Sequence, residues 1–245
     1  MINHIIKGRG GDMSQVEKRF ATVKKELIQR TKSAGRNLED IKIIAVSKGQ
    51  ALTDIQQLAD KKSISAFGES RVQELRDKNE QLPDLSWHMI GHLQRNKVKY
   101  LARMDNCSLI HSLDSYRLAK KIDKRARMED RDMSVLVQVN IAKDENKYGI
   151  MPEETTDFIK QVAEFDNLSV KGLMTILPHV EDSEELRPYF ASMKELFEQI
   201  KKMDIIGVEM KELSMGMSND YKVAIEEGAT MLRLGRAIFG SRAYN

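Results

Sequence analysis

The residues with the clearest chemical potential are one lysine, Lys48, and two glycine-containing segments near the C-terminal end of the chain. Lys48 follows an apolar, β-branched run and is predicted to stand at the end of a buried strand. Desolvation or a nearby cation lowers the pKa of a lysine, and the neutral amine can then form a Schiff base. A lysine that extends its ammonium group to the rim of the fold is an equally good interpretation.

The two glycine-containing segments have the composition of phosphate-binding turns. Residues 214–218 read SMGMS and residues 234–240 read LGRAIFG. Glycine lets a ligand approach the backbone closely, and N–H groups and small hydroxyls are good partners for phosphate oxygens. Glycines that only permit a tight turn would give the same pattern. A phosphate site and an amine on one face suit pyridoxal 5'-phosphate (PLP), and equally the substrate of a sugar-phosphate aldolase.

The histidines and the cysteine give weaker signals. His88 and His92 stand four residues apart, as in a helical zinc motif. No glutamate follows His88, and the residue types of the segment are typical of a strand, so no metal site is predicted. His111 and His179 are isolated in sequence and are interpreted as structural. Cys107 is the only cysteine, which excludes an intrachain disulfide, and we expect its thiol to be buried and inert.

The elements that must position these residues alternate along the chain. Ser14 to Glu17 has the pattern of a capping box, and a helix is predicted from Val16 to a C-terminal cap at Gly35. Eight short apolar runs follow, at 41–47, 63–68, 86–91, 107–113, 133–140, 168–176, 208–214 and 230–235. Helical patterns separate them, at 53–62, 70–80, 94–101, 114–128, 152–165, 183–203 and 218–227. Helix caps are predicted at Thr53, Asp114 and Ser183, and Pro152 is predicted to lie in a first turn. The predicted fold class is α/β, a single (β/α)8 TIM-type barrel with an extra N-terminal helix, and a doubly wound open sheet is the alternative.

Composition excludes several classes of protein. The 245 residues are 41% hydrophobic and 31% charged, which is typical of a soluble globular domain and not of a disordered chain. A net charge of +3 gives no indication of nucleic-acid binding, and no apolar run is long enough to cross a membrane. A cytoplasmic location is expected. Residues 1–12 are expected to be a loose leader or to precede the true start of translation, with the barrel spanning residues 13–245.

Six segments in the same order resemble those of the pyridoxal-phosphate homeostasis proteins. They are AVSK at 45–48, FGESRVQEL at 67–75, WHMIGHLQRNK at 87–97, VQVN at 137–140 with KYG at 147–149, GLMTI at 172–176, and SMGMSNDYKVAIEEGATMLRLGRAIFG at 214–240. The resemblance covers residues from about Val16 to Gly240. It implies a barrel similar to the barrel domain of alanine racemase, with PLP as the cofactor.

The resemblance also implies roles for individual residues. Lys48 would hold PLP as an internal aldimine, Arg233 would face the pyridine nitrogen, and the phosphate would be bound by Ser218 and the backbone around Gly235 and Arg236. Asn140 and Lys147 would lie near the ring. An arginine does not give up its proton, so the ring nitrogen would stay unprotonated and the cofactor would be a weaker electron sink.

The chain departs from the family pattern at two positions. Ser70 stands where the family usually has asparagine, which removes one contact near the cofactor. Gly49 stands where threonine is common, which is expected to loosen the loop beside Lys48.

The implied function is that of a non-catalytic protein that carries and buffers PLP and maintains vitamin B6 homeostasis. Racemases of this fold take a second base from a further domain, whereas this sequence stops five residues after Gly240. The expected partners are PLP and apo forms of PLP-dependent enzymes, and the expected state is a monomer or weak dimer. The alternatives are a PLP-dependent racemase or lyase, a Schiff-base aldolase, and an RNA-binding or scaffold protein that uses the basic stretch 95–103.

Overall fold

Eight parallel strands form a closed barrel in chain order, with the last strand paired to the first. The computed structural model describes residues 13–59, 61 and 63–241. The strands are β1 (Lys42–Val46), β2 (Ala66–Glu69), β3 (Trp87–Met89), β4 (Cys107–Leu113), β5 (Met133–Gln138), β6 (Leu168–Met174), β7 (Val208–Met217) and β8 (Met231–Leu234). The predicted (β/α)8 barrel is confirmed, and the open doubly wound sheet is wrong.

Helices cover the outside of the barrel. They are α1 (Gln15–Ser33), α2 (Leu52–Ala59), α3 (Val72–Gln81), α4 (Val98–Ala102), α5 (Tyr116–Met128), α6 (Pro152–Ala163), α7 (Arg187–Lys202), α8 (Tyr221–Glu226) and α9 (Arg236–Phe239). Within the described ranges, none of these helices has the length and apolar character that a bilayer crossing requires. The predicted leader 1–12 lies outside the described residues.

The extra N-terminal helix α1 is confirmed, and its start is the predicted capping box. The Ser14 hydroxyl accepts the N–H of Glu17 at 3.2 Å, and the Glu17 carboxylate accepts the N–H of Ser14 at 3.0 Å. The helix ends before Gly35, whose φ of +67° favours glycine. Arg19 of α1 donates to the carbonyl of Phe239 at 2.9 Å, so α1 holds the C-terminal end of α9.

Three of the predicted helix caps are wrong. Helix α2 begins at Leu52, ahead of the predicted cap Thr53, and α5 is preceded by Ser115 rather than capped by Asp114. The predicted cap Ser183 lies inside a short 3₁₀ turn, whose cap is its neighbour Asp182. Neighbouring Ser, Thr and Asp side chains all have capping chemistry, and the direction in which the chain enters the helix decides between them.

Strand β7 extends beyond the predicted run and takes in most of the segment predicted as a loop. Ser214 pairs with Met231, and Met217 pairs with Arg233. Between these two pairs the chain advances three residues on β7 but only two on β8, so β7 carries one extra residue. This is a β-bulge, and it requires Gly216, whose φ is +91°. A Cβ at Gly216 would lie 2.6 Å from the Cβ of Ala224. The bulge lets the strand continue to the edge of the barrel mouth.

The alternation of side chains along the strands divides the core into two parts. The larger apolar cluster fills the space between strands and helices, with Trp87 and Ile110 fully buried in it. A smaller cluster inside the barrel comprises Ile44, Ala66, Leu109, Leu136, Met174 and Met231. Buried polar side chains occupy the rest of the interior towards the C-terminal ends of the strands.

Candidate functional site

A cavity of about 830 Å³ opens at the C-terminal ends of the strands, where barrel enzymes carry their sites. Its lining includes Lys48, Ser218, Arg233, Gly235 and Arg236, which are five of the seven residues predicted to lie at the cofactor. The barrel therefore brings together side chains from the loops after β1, β7 and β8. Ser70, the first departure from the family pattern, also lines the cavity.

The half-buried Lys48 follows a residue that is fixed on two sides. The hydroxyl of the fully buried Ser47 donates to Oε1 of Glu69 at 2.7 Å. The Nζ of Lys78, on helix α3, donates to the Ser47 carbonyl at 2.6 Å and to the same Glu69 oxygen at 2.8 Å. These contacts set the direction in which the chain leaves β1 and enters the cavity.

The residue after Lys48 is held from the same helix. The N–H of Gly49 donates to Oε1 of Glu74, and this carboxylate also accepts from Lys78 at 2.8 Å. Gly49 has a φ of +70°, a conformation that strains a threonine. The expected loosening of this loop is therefore opposed by a backbone hydrogen bond.

Glu69 and Lys78 form a buried ion pair behind the Lys48 loop. Glu69 is fully buried, and burial raises the pKa of its carboxyl group above the ordinary value, against the attraction of Lys78 and the hydrogen bonds from Lys78 and Ser47. Glu69 lies in one of the six segments that resemble the family, whereas Lys78 lies outside all of them. A lysine on an amphipathic helix ordinarily reads as part of the solvated face, and no local pattern distinguishes it.

Two backbone N–H groups converge on one oxygen at the other end of the cavity. The Oγ of Ser218 accepts the N–H of Gly235 at 3.2 Å and the N–H of Ala237 at 3.1 Å. Arg236 lies beside them and donates to Oδ1 of Asn219 at 3.2 Å. This corner has the N–H donors, the hydroxyl and the cation that a phosphate group needs.

The backbone of Gly235 does not itself require glycine. Its φ is −106°, and an added Cβ would meet Val46 at 3.4 Å, which is ordinary van der Waals contact. The alternative interpretation, that this glycine only permits a tight turn, is therefore not supported. For Gly216 the positive φ does support that interpretation.

Arg233 reaches the floor of the cavity from inside the barrel. Its guanidinium donates through Nη1 to the carbonyl and the hydroxyl of Ser214, at 2.8 and 2.6 Å, and through Nη2 to the carbonyl of Thr175 at 2.7 Å. Burial lowers the pKa of Arg233 to about 10, against the attraction of Asp220. The group is therefore a fixed cation at neutral pH.

Asn140, which follows β5, is not among the described residues that line this cavity. Its amide nitrogen donates to the carbonyl of Asp144 at 2.8 Å, and its amide oxygen accepts the N–H of Asp144 at 3.1 Å. Both ends of the side chain thus close the turn after β5, and Lys147 lies 3.9 Å from the Asp144 carboxylate. The predicted cofactor contacts of Asn140 and Lys147 stay predictions.

The histidines are less isolated than their spacing indicates. His88 and His111 contact each other inside the barrel, with Nδ1 and Nε2 2.9 Å apart. His92 stacks on Tyr148 with ring centroids 3.8 Å apart, and His179 contacts Asn219 beside the cavity. Among the residues that the structure describes, no group of three or more metal-ligating side chains is assembled. Cys107 is buried as expected, and burial raises the pKa of its thiol to about 12.

Comparison with known proteins identifies the same family as the six sequence segments. Residues 24–243 match the family model of the alanine racemase N-terminal domain. A pyridoxal phosphate homeostasis protein of Aquifex aeolicus is 41% identical over 92% of this chain and 98% of its own length. One of Helicobacter pylori is 41% identical over 86% of this chain and 93% of its own length.

Solved structures show the same fold. PipY of Synechococcus elongatus, determined with PLP bound, superposes with a TM-score of 0.77 at 30% identity, covering 92% of this chain and all of PipY. D-threonine aldolase of Filomicrobium marinum has a TM-score of 0.75 at 16% identity, covering 96% of this chain and 63% of the aldolase, so that likeness concerns the fold alone. The chain belongs to the alanine racemase N-terminal domain family and, within it, to the pyridoxal phosphate homeostasis proteins.

Proposed function

We propose that this protein binds PLP in the cavity at the mouth of the barrel and serves PLP homeostasis by carrying and buffering the cofactor. The observation that carries the proposal is the meeting of three groups in one cavity: the amine of Lys48, the hydroxyl of Ser218 with the N–H groups around it, and the guanidinium of Arg233. An amine suits an aldehyde, the N–H groups suit a phosphate, and a guanidinium suits a ring nitrogen. The PLP-bound structure of PipY supports the same ligand.

Each residue has a separate task in this proposal. Lys48 would hold PLP through a bond from its amine to the aldehyde carbon, with the aldehyde oxygen leaving as water. The loop held at Ser47 and Gly49 would direct the lysine side chain into the cavity. Ser218 and Arg236 hold the phosphate together with the N–H groups of the segment after β8.

Arg233 sets the electronic state of the ring. Bound PLP supplies an electron sink, and the sink is strongest when the pyridine nitrogen is protonated. A guanidinium donates a hydrogen bond but keeps its proton, so the nitrogen facing Arg233 stays neutral. A weak electron sink suits storage of the cofactor better than turnover of amino acids.

The first test is the visible absorbance of the purified protein with added PLP, before and after borohydride reduction. We expect a yellow band that borohydride removes, with the PLP mass fixed on the Lys48 peptide and missing from Lys48→Ala. Lys25→Ala, a change on the exposed face of α1, is the control and is expected to label normally. A protein that stays colourless and unlabelled with PLP in excess would overturn the proposal.

Absence of turnover is a further part of the proposal. The PLP-loaded protein is expected to convert L-amino acids into D-amino acids no faster than free PLP does, in a panel that includes alanine and threonine. Conversion above that background would make it a racemase. We also propose apo forms of PLP-dependent enzymes as recipients, a monomer or weak dimer, and a cytoplasmic setting, which the single unpaired Cys107 supports.

A further inference from the structure

A chain of buried hydrogen bonds runs behind Arg233 through the interior of the barrel. Nη1 of Arg233 donates to Oγ of Ser214 at 2.6 Å, and this hydroxyl lies 3.1 Å from Nδ1 of His111. Nε2 of His111 lies 2.9 Å from Nδ1 of His88. Ser214 and His111 are fully buried, and His88 is 7% exposed. The chain thus joins β8, β7, β4 and β3 across the inside of the barrel.

Arg233 determines which group is the donor and which the acceptor in each of these hydrogen bonds. A guanidinium only donates, so the Ser214 oxygen must accept from it. The Ser214 hydroxyl hydrogen then goes to Nδ1 of His111, which is the remaining acceptor within reach among the described residues. His111 consequently carries its hydrogen on Nε2 and donates it to Nδ1 of His88. The reverse direction would leave the Ser214 O–H buried without an acceptor.

Both imidazoles must be neutral for this arrangement to hold. Burial lowers the pKa of His88 to about 3, with the charge of Lys42 acting in the same direction. Burial also holds the pKa of His111 well below its ordinary value, since a second proton there would be repelled by Arg233 and by any charge on His88. A neutral His111 has one acceptor nitrogen, and the Ser214 hydroxyl, which donates to it, makes that nitrogen Nδ1.

The guanidinium of Arg233, which lines the cavity, has N–H groups that make no hydrogen bond within the described residues. Three of its hydrogens go to the carbonyl and hydroxyl of Ser214 and to the carbonyl of Thr175. A guanidinium has five, so two are left for a ligand. We propose that His111 is a positioning residue that, acting through Ser214, orients Arg233 so that these remaining N–H groups meet the ring nitrogen of bound PLP. This inference rests on the proposed function and extends it to residues outside the cavity.

The test is a set of substitutions at His111 that keep or remove the nitrogen facing Ser214. His111→Phe fills the space but removes both nitrogens, whereas the amide oxygen of His111→Asn can replace Nδ1 as the acceptor. His92→Phe is the matched control, because His92 takes no part in this series of hydrogen bonds and phenylalanine can keep the stacking on Tyr148. Circular dichroism shows whether each variant folds. If His111→Phe does not fold, Ser214→Ala replaces it, because this change removes the hydroxyl that links His111 to Arg233.

Two readouts separate positioning from a merely structural role. The first is the Kd for PLP, which we expect His111→Phe to raise roughly tenfold to a hundredfold, the range of one hydrogen bond to a charged group. The second is the ¹⁵N chemical shift of the pyridine nitrogen in labelled PLP, which is expected to move in His111→Phe and Ser214→Ala. Both readouts are expected to return towards the wild-type values in His111→Asn and to stay unchanged in His92→Phe.

The outcomes distinguish the two proposals. If borohydride does not label Lys48 in the wild-type protein, the proposed function fails, and the inference fails with it. If the wild type is labelled but folded His111→Phe or Ser214→Ala keeps the wild-type Kd and ¹⁵N shift, the inference alone is overturned. A loss of thermal stability in these variants without a change in either PLP readout also overturns it, because His111 would then be only a packing residue.

Discussion

Replacing Lys78 by methionine removes the cation that faces the buried carboxylate of Glu69 while keeping a side chain of similar length. In the wild-type protein the two groups are 2.8 Å apart, Glu69 is fully buried and Lys78 is 8% exposed. The change also removes the donor that holds the Ser47 carbonyl at 2.6 Å. Lys78→Met therefore tests how the loop that carries Lys48 is held.

The expected loss of stability is about 3–5 kcal/mol at neutral pH, the usual cost of leaving one member of a buried ion pair alone. Its pH dependence follows from the pKa of Glu69, which burial raises above the ordinary value and which rises further without Lys78. A carboxyl group with a raised folded-state pKa destabilises the fold increasingly as the pH rises from its unfolded-state pKa to its folded-state pKa. The deficit of Lys78→Met should therefore be larger at pH 8 than at pH 5.

Urea unfolding of the wild-type protein and Lys78→Met at the two pH values measures both effects. Glu69→Gln combined with Lys78→Met is expected to recover much of the lost stability, since the buried negative charge is then gone. Lys25→Met, on the exposed face of α1, serves as the control for loss of a lysine charge. A deficit below about 1 kcal/mol that is equal at both pH values, with no recovery in the double variant, would refute the reasoning.

Three further substitutions test how the fold supports the site. Ser14→Ala should cost about 1 kcal/mol in urea unfolding by removing the α1 cap, whereas the same change at exposed Thr22 should cost less; equal costs would argue against the capping box. Leu27→Ala should cost about 2–5 kcal/mol because this fully buried side chain anchors α1, and a smaller loss would mean that α1 contributes little. Gly216→Ala should cost about 1–3 kcal/mol and weaken PLP binding, because φ is +91° and Ala224 lies in the way; unchanged binding would separate the bulge from the site.

Much of the fold was predictable because its signals are local. The run 107–113 matches β4 at both ends, and the capping box at Ser14 lies where the pattern indicates. Period-two apolar runs, helical spacing and caps depend on residues a few positions apart. The same holds for the candidate site, since Lys48, Ser218 and Arg233 each stand at the end of a recognisable strand. A (β/α)8 barrel brings such strand ends together whatever their distance in sequence.

Tertiary structure decided the contacts that no local pattern contains. The local pattern predicts a surface position for Lys78, but the packing of α3 places it against Glu69. His111 is isolated in sequence, but closure of the barrel places it between His88 and Ser214. The hydrogen bonds that the Asn140 amide makes with the backbone of Asp144 are likewise known only from the folded loop. The sequence by itself thus determined which elements form and which residues reach the mouth of the barrel. Strand register and helix packing decided which buried polar groups meet, because those partners are joined only through the closed sheet and the helices packed on it.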